Sequence, residues 1–317
     1  SGFFSGAIHY VLIVDSNAGR PTTILSFMSN IFAMVTLKSS NFYTGYALES
    51  FFKNTVMEAD DEFLLINNDY SEIDKFSIYN KINIVKNNRP LSFAENINQG
   101  ISIAIKNQKN LVFLNNDIIF TKNWFNPLKL DSRNISIPVS NQLFPYNSDC
   151  GNLKLTATMS FEEFNENYDL LNDIVTRHKK KFQSDQKFQT PLMPFYCFKA
   201  PHKILNDVGY FDKSYGKGGG EDIDYRMRCA IKGYEVNFLL DSYLLHFHGK
   251  STWDGGETKD QIEARNKTYT ETFKKKWGEE MTQLFIIRKD FSDILSRKDL
   301  KDLFKRGKFG DLIRQLL

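Results

Sequence analysis

The chain has 317 residues, 41% of them hydrophobic and 14% aromatic, with a formal net charge of +3. That length suits one large α/β domain or two small ones, and the composition excludes an intrinsically disordered chain. So slight a charge gives no bulk electrostatic case for a nucleic-acid binder, although it leaves a local basic groove open.

The cysteines, Cys150, Cys197 and Cys229, are odd in number and widely spaced, without a CxxC pair or a zinc spacing. A reducing, cytoplasmic setting is the expectation. No stretch at the start has the charged region and long apolar core of a signal peptide, and the longest apolar runs are strand-sized. The protein is therefore expected to be soluble, or at most peripheral to a membrane.

Residues 9–14 (HYVLIV) are a continuous run of β-formers, the pattern of a strand buried on both faces. A polar loop follows at residues 15–21, and residues 22–37 read as a helix. Open α/β sheets bind ligands at the carboxyl ends of their strands, so Asp15, Asn17 and Arg20 are candidate nucleotide contacts, an ordinary turn being the alternative. A helix is expected over residues 42–57. A second strand spans 62–66 (EFLLI) and ends in Asn67-Asn68-Asp69; a third spans 81–85 (KINIV) and ends in Lys86-Asn87-Asn88-Arg89. A helix over 92–106 and a strand over 111–114 (LVFL) continue the alternation. Four strands alternating with helices predict a doubly wound, Rossmann-like, mostly parallel sheet.

The fourth strand ends in Asn115-Asn116-Asp117, which by itself is the composition of a turn whose side chains bond their own backbone. A polar, aromatic helix is expected over 161–174, and the basic stretch 177–181 reads as a solvated face, with an anionic acceptor as the alternative. The glycine turn Gly218-Gly219-Gly220 feeds Glu221-Asp222-Ile223-Asp224 and a helical run over 225–231. Glycines allow positive φ and close approach to a ligand, and carboxylates at such a turn either cap a helix, worth about 0.3–1 kcal/mol, or perform acid–base chemistry. A strand over 235–245 then runs into His246-Phe247-His248, whose histidines, two apart, share one side of a strand. Residues 261–277 are helical. The tail, 291–317, carries an apolar stripe through Leu295, Leu300, Leu303, Phe304, Leu312, Ile313 and Leu316. Packing onto the domain is expected for it, with a membrane surface or a partner helix as alternatives.

Phe211-Asp212, Gly220-Glu221-Asp222-Ile223-Asp224, Arg228, Gly233-Tyr234 and the ending His246-x-x-Gly249-x-Ser251 resemble, in order and spacing, the C-terminal half of family 2 glycosyltransferases, which have the GT-A fold. The first half is similar to that family too. Phe93-Ala94 with Asn98, Gly100 and Ile101 matches its helix start, and Asn67 or Asp69 matches the residue that meets the nucleotide base. Arg89-Pro90 stands where a glycine is usual.

The resemblance implies an inverting, metal-dependent transfer of a hexosyl or pentosyl group from a nucleotide-diphosphate sugar to a hydroxyl acceptor, in glycan or polysaccharide synthesis. It implies a nucleotide-sugar-binding half at residues 1–118, an acceptor and catalytic half at 119–255, and a C-terminal helical extension at 256–317. Asp222 is the implied general base and Glu221 the runner-up. Gly219, Gly220 and Asp224 fall on the acceptor side, with Asp224 also a brace for its helix. Asn98 matches a donor-side position, though its amide is expected to tie loops together. Asn115, Asn116 and Asp117 occupy the place of the family's DxD-type motif, whose last carboxylate binds a divalent cation; the first acid is replaced by Asn115. Asp117 with His246 or His248 makes a mixed oxygen and nitrogen set suited to Mn²⁺ or Mg²⁺. Arg228 is expected to pair with a carboxylate or phosphate and Arg226 to lie in a solvated ion pair, while residues 140–193 shape the acceptor site. The alternatives are a glycosyltransferase acting on a protein or modified nucleic acid, a nucleotidyltransferase, and an inactive binding module suggested by Asn115. A nucleotidyltransferase calls for a glycine-rich basic loop after the first strand, and residues 15–21 offer only Gly19 and Arg20.

Overall fold

The computed structural model describes residues 28–69, 73–79, 81–141, 159–181, 186–194, 196–247, 249–250, 257–287, 294 and 296–317. The strand expected at 9–14, together with Asp15, Asn17, Arg20 and His248, lies outside them.

The described chain opens on a strand where a helix over 22–37 was expected. This strand, β1 (Asn30–Thr36), is buried along all 7 of its residues. It lies between two parallel partners, β2 (Glu62–Asn67) and β4 (Asn110–Leu114), with Phe32 opposite both Phe63 and Val112. A strand covered on both faces is apolar throughout, so its sequence lacks the alternation that separates a strand from a buried helix. Asp61 sets where it starts: the Asn30 backbone N–H and side-chain amide both donate to Asp61 Oδ1, at 2.7 and 3.0 Å.

The parallel half is completed by β3 (Ile82–Lys86) beside β2. After β1 and β3 the chain returns through α1 (Asn41–Asn54) and α2 (Phe93–Lys106). The start of α2 is fixed by a reciprocal cap, in which Glu95 N–H donates to Ser92 Oγ and Ser92 N–H to the Glu95 carboxylate. Gly100 lets this helix lie close on the sheet, since a Cβ there would sit 3.1 Å from Leu111 and 3.2 Å from Ala33.

Beyond β4 the sheet becomes mixed. It gains β5 (Ile118–Phe120), β6 (Ile135–Ser140), β7 (Lys187–Gln189), β8 (Cys197–Ala200) and β9 (Val236–His246). The 9-stranded order is β3-β2-β1-β4-β8-β6-β9-β5, with β7 alongside β9. β8 runs antiparallel to β4 and β6, β5 and β7 antiparallel to β9, and β6 parallel to β9. The expected α/β sheet with a helical C-terminal extension is the one the chain forms.

The remaining helices are α3 (Phe125–Leu130), α4 (Phe161–Phe164), α5 (Tyr168–Lys181), α6 (His202–Val208), α7 (Glu221–Ile231), α8 (Lys259–Thr282), α9 (Lys298–Lys305) and α10 (Phe309–Leu316). The single helix expected over 161–174 is two, because Asn165 and Glu166 take left-handed φ of 35° and 59°. The basic stretch at the end of α5 is not wholly a solvated face: His178 is buried, its Nε2 2.5 Å from the Leu240 carbonyl. In the tail, Leu300, Phe309, Leu312 and Ile313 pack with Ile223 and Met227 of α7, so its apolar stripe is turned onto the domain. Among the described residues, no helix is long and apolar enough to cross a membrane.

Asp224, fully buried, fastens α7 to α8. Its Oδ2 accepts from Arg228 Nε at 2.8 Å, and its Oδ1 lies 2.9 Å from Trp277 Nε1, 2.6 Å from Lys276 Nζ and 3.3 Å from the Tyr215 hydroxyl. Removing one partner of a buried charge cluster leaves the others unpaired, at a cost of roughly 3–5 kcal/mol. Asp224→Ala is therefore expected to lower stability by about that amount, read from denaturant unfolding, with Lys276→Met costing less because Lys276 is partly exposed.

Candidate active site

The segments that follow β1, β2 and β3 enclose a cavity of about 800 Å³ together with the loop that precedes α7. Leu37, Asn68 and Arg89 line it from the sheet side, and Lys213, Lys217 and Glu257 from the other. Phe93 N–H donates to the Lys217 carbonyl at 3.3 Å, so the loop leading into the glycine turn is tied to the start of α2. The glycine turn thus continues directly from one wall of the cavity.

Asn68 holds the sheet-side wall in shape. Its Oδ1 accepts from Leu91 N–H at 2.8 Å and from Asn87 Nδ2 at 2.9 Å, while its Nδ2 donates to the Leu91 carbonyl at 3.1 Å. Asn67 is buried, and Asp69 accepts from Lys38 N–H at 2.8 Å, joining the ends of β1 and β2. The carboxylates of the cavity are matched by arginines: Glu95 by Arg89 at 2.9 Å and Glu257 by Arg265 at 3.0 Å. Among the described residues, the ammonium groups of Lys213 and Lys217 have no such ion pair, which leaves the cavity cationic.

Asp117 stands at the corner between β4 and β5, past the carboxyl end of β4, whose neighbour β1 ends at the cavity through Val35 and Leu37. The β5–β9 ladder pairs Ile118 with His246, and this register brings His246 Nε2 to 3.2 Å from Asp117 Oδ1. Phe247 N–H donates to the Asp117 carbonyl at 3.0 Å, and Lys250 N–H to Asp117 Oδ2 at 3.1 Å. Both side chains are buried, Asp117 fully. Burial alone would raise the Asp117 pKa, but the charge and hydrogen bond of His246, with backbone N–H donors, outweigh it and hold the carboxyl below its usual range. Among the described residues, no group of three or more His, Cys, Asp or Glu gathers to hold an ion, so Asp117 and His246 stand here as a pair.

Asn116, expected on the donor side, has its amide nitrogen taken up within the fold, while its Oδ1 has no hydrogen bond among the described residues. It is buried, and its Nδ2 lies 2.8 Å from both Ser40 Oγ and Thr44 Oγ1, locking the β4–β5 corner to α1. Asn115 is only partly buried, and its N–H donates to the Tyr196 carbonyl at 2.7 Å. Asn98 is the loop tie its amide promised rather than a donor contact: Phe211 N–H donates to its Oδ1 at 2.8 Å, and its Nδ2 donates to the Phe211 carbonyl at 2.9 Å.

The glycine turn takes φ of 152°, 115° and 81° at Gly218, Gly219 and Gly220. A Cβ at Gly219 would lie 2.6 Å from the Tyr269 ring, and one at Gly220 3.2 Å from Tyr215. These two glycines, expected on the acceptor side, are thus required by packing as well as by φ. Asp224, expected on the acceptor side or as a brace, is the brace.

The turn delivers Glu221 and Asp222 at the start of α7. Glu221 is 3% exposed, and its Oε2 has no hydrogen bond among the described residues. Burial, then the neighbouring Asp222 charge, pushes its pKa up to about 8, against backbone N–H donors and Arg265. It is therefore protonated at neutral pH. Asp222 is partly exposed and accepts from Ile223 N–H at 2.8 Å. A buried carboxyl held protonated beside a partly exposed one is an arrangement that acid–base chemistry can use.

Arg228 pairs with Asp224 as expected and also donates to the Val208 and Tyr210 carbonyls at 2.8 and 2.9 Å. Arg226 overturns its expectation: it is fully buried, donating from Nε to the Thr190 carbonyl at 2.9 Å. A signal for this was present, since Arg226 falls on the helical stripe of Ile223, Met227 and Ala230. Lys213, Lys217, Arg265 and Tyr269 went unnoticed in the sequence. Arg265 and Tyr269 lie four apart on α8, but nothing local ties that helix face to the glycine turn.

No protein-family model matches the chain, and no curated protein matches it in sequence. Solved structures do match. GalNAc-T7 with UDP, GalNAc and Mn²⁺ matches with a TM-score of 0.58 at 12% identity, over 91% of this chain and 55% of that chain. The mannosyltransferase PcManGT from Pyrobaculum calidifontis, in complex with GDP-Man and Mn²⁺, matches at 0.47 and 9% identity, over 92% of this chain and 87% of that chain. The first likeness establishes the fold as GT-A.

The burial of Glu221 has a consequence for stability. Its folded pKa of about 8 lies above the ordinary glutamate value of 4.5, so the folded state holds the proton more tightly than the unfolded chain does. Stability from this group is fully present below the ordinary value and is lost as pH rises towards and through about 8. Glu221→Gln is expected to remove that slope. Urea midpoints of parent and variant should diverge between pH 5 and 8.5, the parent losing ground as pH rises; parallel curves would refute the burial argument.

Proposed function

We propose that this chain is a metal-dependent glycosyltransferase of the family 2 type, moving a sugar from a nucleotide-diphosphate donor to a hydroxyl acceptor. The observation that carries this reading is the buried Asp117–His246 contact at 3.2 Å, which follows the carboxyl end of β4 and so lies one strand over from β1, where Val35 and Leu37 line the cationic cavity. GalNAc-T7, whose fold the chain shares, was solved with UDP and Mn²⁺.

The residues fit a divalent cation. Asp117 offers a carboxylate oxygen and His246 an imidazole nitrogen, a mixed pair that suits Mn²⁺ or Mg²⁺, whereas structural zinc takes four protein ligands. When bound, such an ion neutralises charge on the leaving diphosphate. Asn115 and the donor itself would complete its surroundings. Lys213, Lys217 and Arg89 add positive charge around the donor phosphates, while Leu37 and Asn68 line the pocket for the base, with Asn67 and Asp69 flanking Asn68 in the chain at the end of β2.

Asp222 is the general base of this reading. It is an exposed-edge carboxylate beside a protonated Glu221, so one group is ready to take the acceptor proton while the other does not repel it. A single displacement with inversion follows from a base on the acceptor side and a leaving diphosphate opposite. Residues 1–118 then serve the donor and 119–255 the acceptor, the second part also lending Lys213, Lys217 and His246 to the donor phosphates and their ion, in cytoplasmic glycan or polysaccharide synthesis.

A screen of UDP, GDP and dTDP sugars, following nucleotide release with Mn²⁺ and with a chelator, tests the reading. Mn²⁺-dependent release from at least one donor is expected, and release untouched by chelation would remove the metal. Asp117→Ala is expected to weaken both donor binding and turnover. Asp222→Asn should keep donor binding while losing transfer by about 10²–10⁴-fold; transfer at the parent rate would show that the base is another residue.

A further inference from the structure

The cavity wall that continues β1, β2 and β3 has its hydrogen-bonding groups turned onto the protein itself. Leu37 N–H donates to Ser40 Oγ at 3.3 Å, Leu91 N–H to Asn68 Oδ1 at 2.8 Å, and Ser92 N–H to Glu95 Oε2 at 2.9 Å. Glu95 N–H donates to Ser92 Oγ at 3.2 Å and Phe93 N–H to the Lys217 carbonyl at 3.3 Å, while Pro90 has no N–H to offer. The carbonyls are taken in the same way. That of Leu37 accepts from the N–H and hydroxyl of Ser40, that of Leu91 from the amides of Asn68 and Asn96, and that of Ser92 from the N–H and amide of Asn96. A carbonyl oxygen has two lone pairs, so these three are filled.

The polar side chains of this wall are engaged too. Asn96 gives its amide to those carbonyls and receives Asn87 and Gln99 at its Oδ1. Asn68 has two donors on its Oδ1 and keeps one amide proton. Arg89 folds its fork back on the chain, to Glu95 Oε1 at 2.9 Å and the Pro90 carbonyl at 3.3 Å. Neither Asn67 nor Asp69 lines the cavity. The wall is left with the apolar surface of Val35, Leu37, Pro90, Leu91 and Phe93, broken by that amide proton and the Ser92 hydroxyl. Charge stands opposite: among the described residues, the ammonium groups of Lys213 and Lys217 have no ion pair.

One nucleobase is told from another by the donors and acceptors on its edge, and this wall has little to match them. Phosphate is recognised by charge, and a lysine acts on it as a point charge. At about 800 Å³ the cavity stands near the top of the range of about 300–1,000 Å³ usual for ligand sites, so size does not exclude a purine. We propose that the chain selects its donor by the diphosphate and not by the base, taking pyrimidine and purine nucleotides with similar affinity. This inference rests on the glycosyltransferase reading, which puts a nucleotide in the cavity.

Calorimetric titration of the full chain with UDP, dTDP, GDP and ADP in the presence of Mn²⁺ tests it. The dissociation constants are expected to lie within about tenfold of one another, whereas a wall that hydrogen-bonds its ligand rejects the wrong one by about 10⁴–10⁵. Pyrophosphate should displace all four nucleotides, and uridine and guanosine should bind roughly 100-fold more weakly than their diphosphates. The paired change Lys213→Ala with Lys217→Ala is expected to weaken every nucleotide by one common factor, about tenfold. A spread wider than tenfold among the parent's four constants overturns the inference, and so does a nucleoside that binds as well as its diphosphate. A loss in the paired variant that depends on the base overturns it as well, because the lysines would then be reading the base. Tight binding of a single nucleotide leaves the glycosyltransferase reading in place, whereas binding of none removes both.

Discussion

A short antiparallel ladder brings together the groups on which the chemistry depends. β5 has only 3 residues, yet Ile118 lies opposite His246 in it, and that register sets Asp117 against the imidazole. So short a strand is held largely by side chains. Asn54 Nδ2 donates to the Phe120 carbonyl at 2.8 Å, Phe120 N–H donates to Ser50 Oγ at 3.1 Å, and Thr121 Oγ1 donates to the Tyr243 carbonyl at 2.6 Å. A slip of one residue would turn every side chain of β5 to the opposite face and carry Asp117 away from His246. The ladder thus ties the segment that leaves β4 at the centre of the sheet to its far edge, where β5 lies beside β9.

Three buried acids meet the same dielectric penalty and resolve it differently. Asp224 is surrounded by donors and becomes a structural rivet between α7 and α8. Asp117 has the nearby charge of His246, which outweighs burial and keeps it ionised. Glu221 has neither remedy at Oε2 and retains its proton instead. Burial disfavours the charged form in each case, so the number and charge of the donors decide the outcome. The division of labour follows: a brace cannot also bind a sugar, an ionised buried carboxylate is a ready metal ligand, and a protonated neighbour lowers the repulsion that Asp222 would otherwise feel.

Local pattern carried much of the fold and part of the site. β2, β3, β4, α1 and α2 were legible because each combines a clear apolar pattern with turn or cap residues at its ends, as at Ser92 and Glu95. β1 was not, since an unbroken apolar run buried on both faces has no period that distinguishes strand from helix. Asn98 was read as a loop tie from its side-chain chemistry alone. The structural bonds of Asn116 were not legible because its partners, Ser40 and Thr44, lie far away in the chain, and neither was the setting of Glu221, whose charge is acted on by Arg265 of α8 and whose turn packs at Gly219 against Tyr269. Residue type and local spacing reveal which groups are capable of chemistry. Only the tertiary arrangement reveals which of them are already occupied.

Asn115 gives the proposed donor site its electrostatic character. With a second carboxylate at the strand tip, the protein would cancel both charges of a divalent ion; with Asp117 as the one carboxylate, since an imidazole ligand brings no negative charge, one positive charge is left over. Fewer charged ligands weaken affinity for the free ion, because ligand charge count tunes such sites. The same deficit leaves a stronger field for an incoming diphosphate, and Lys213, Lys217 and Arg89 reinforce it from the cavity wall. In the proposed reading, ion and donor therefore stabilise each other's binding more than either is held alone. The replacement of an acid by an amide in the motif is then a shift of binding energy from the protein–metal contact to the metal–donor complex, and it does not by itself mark an inactive site.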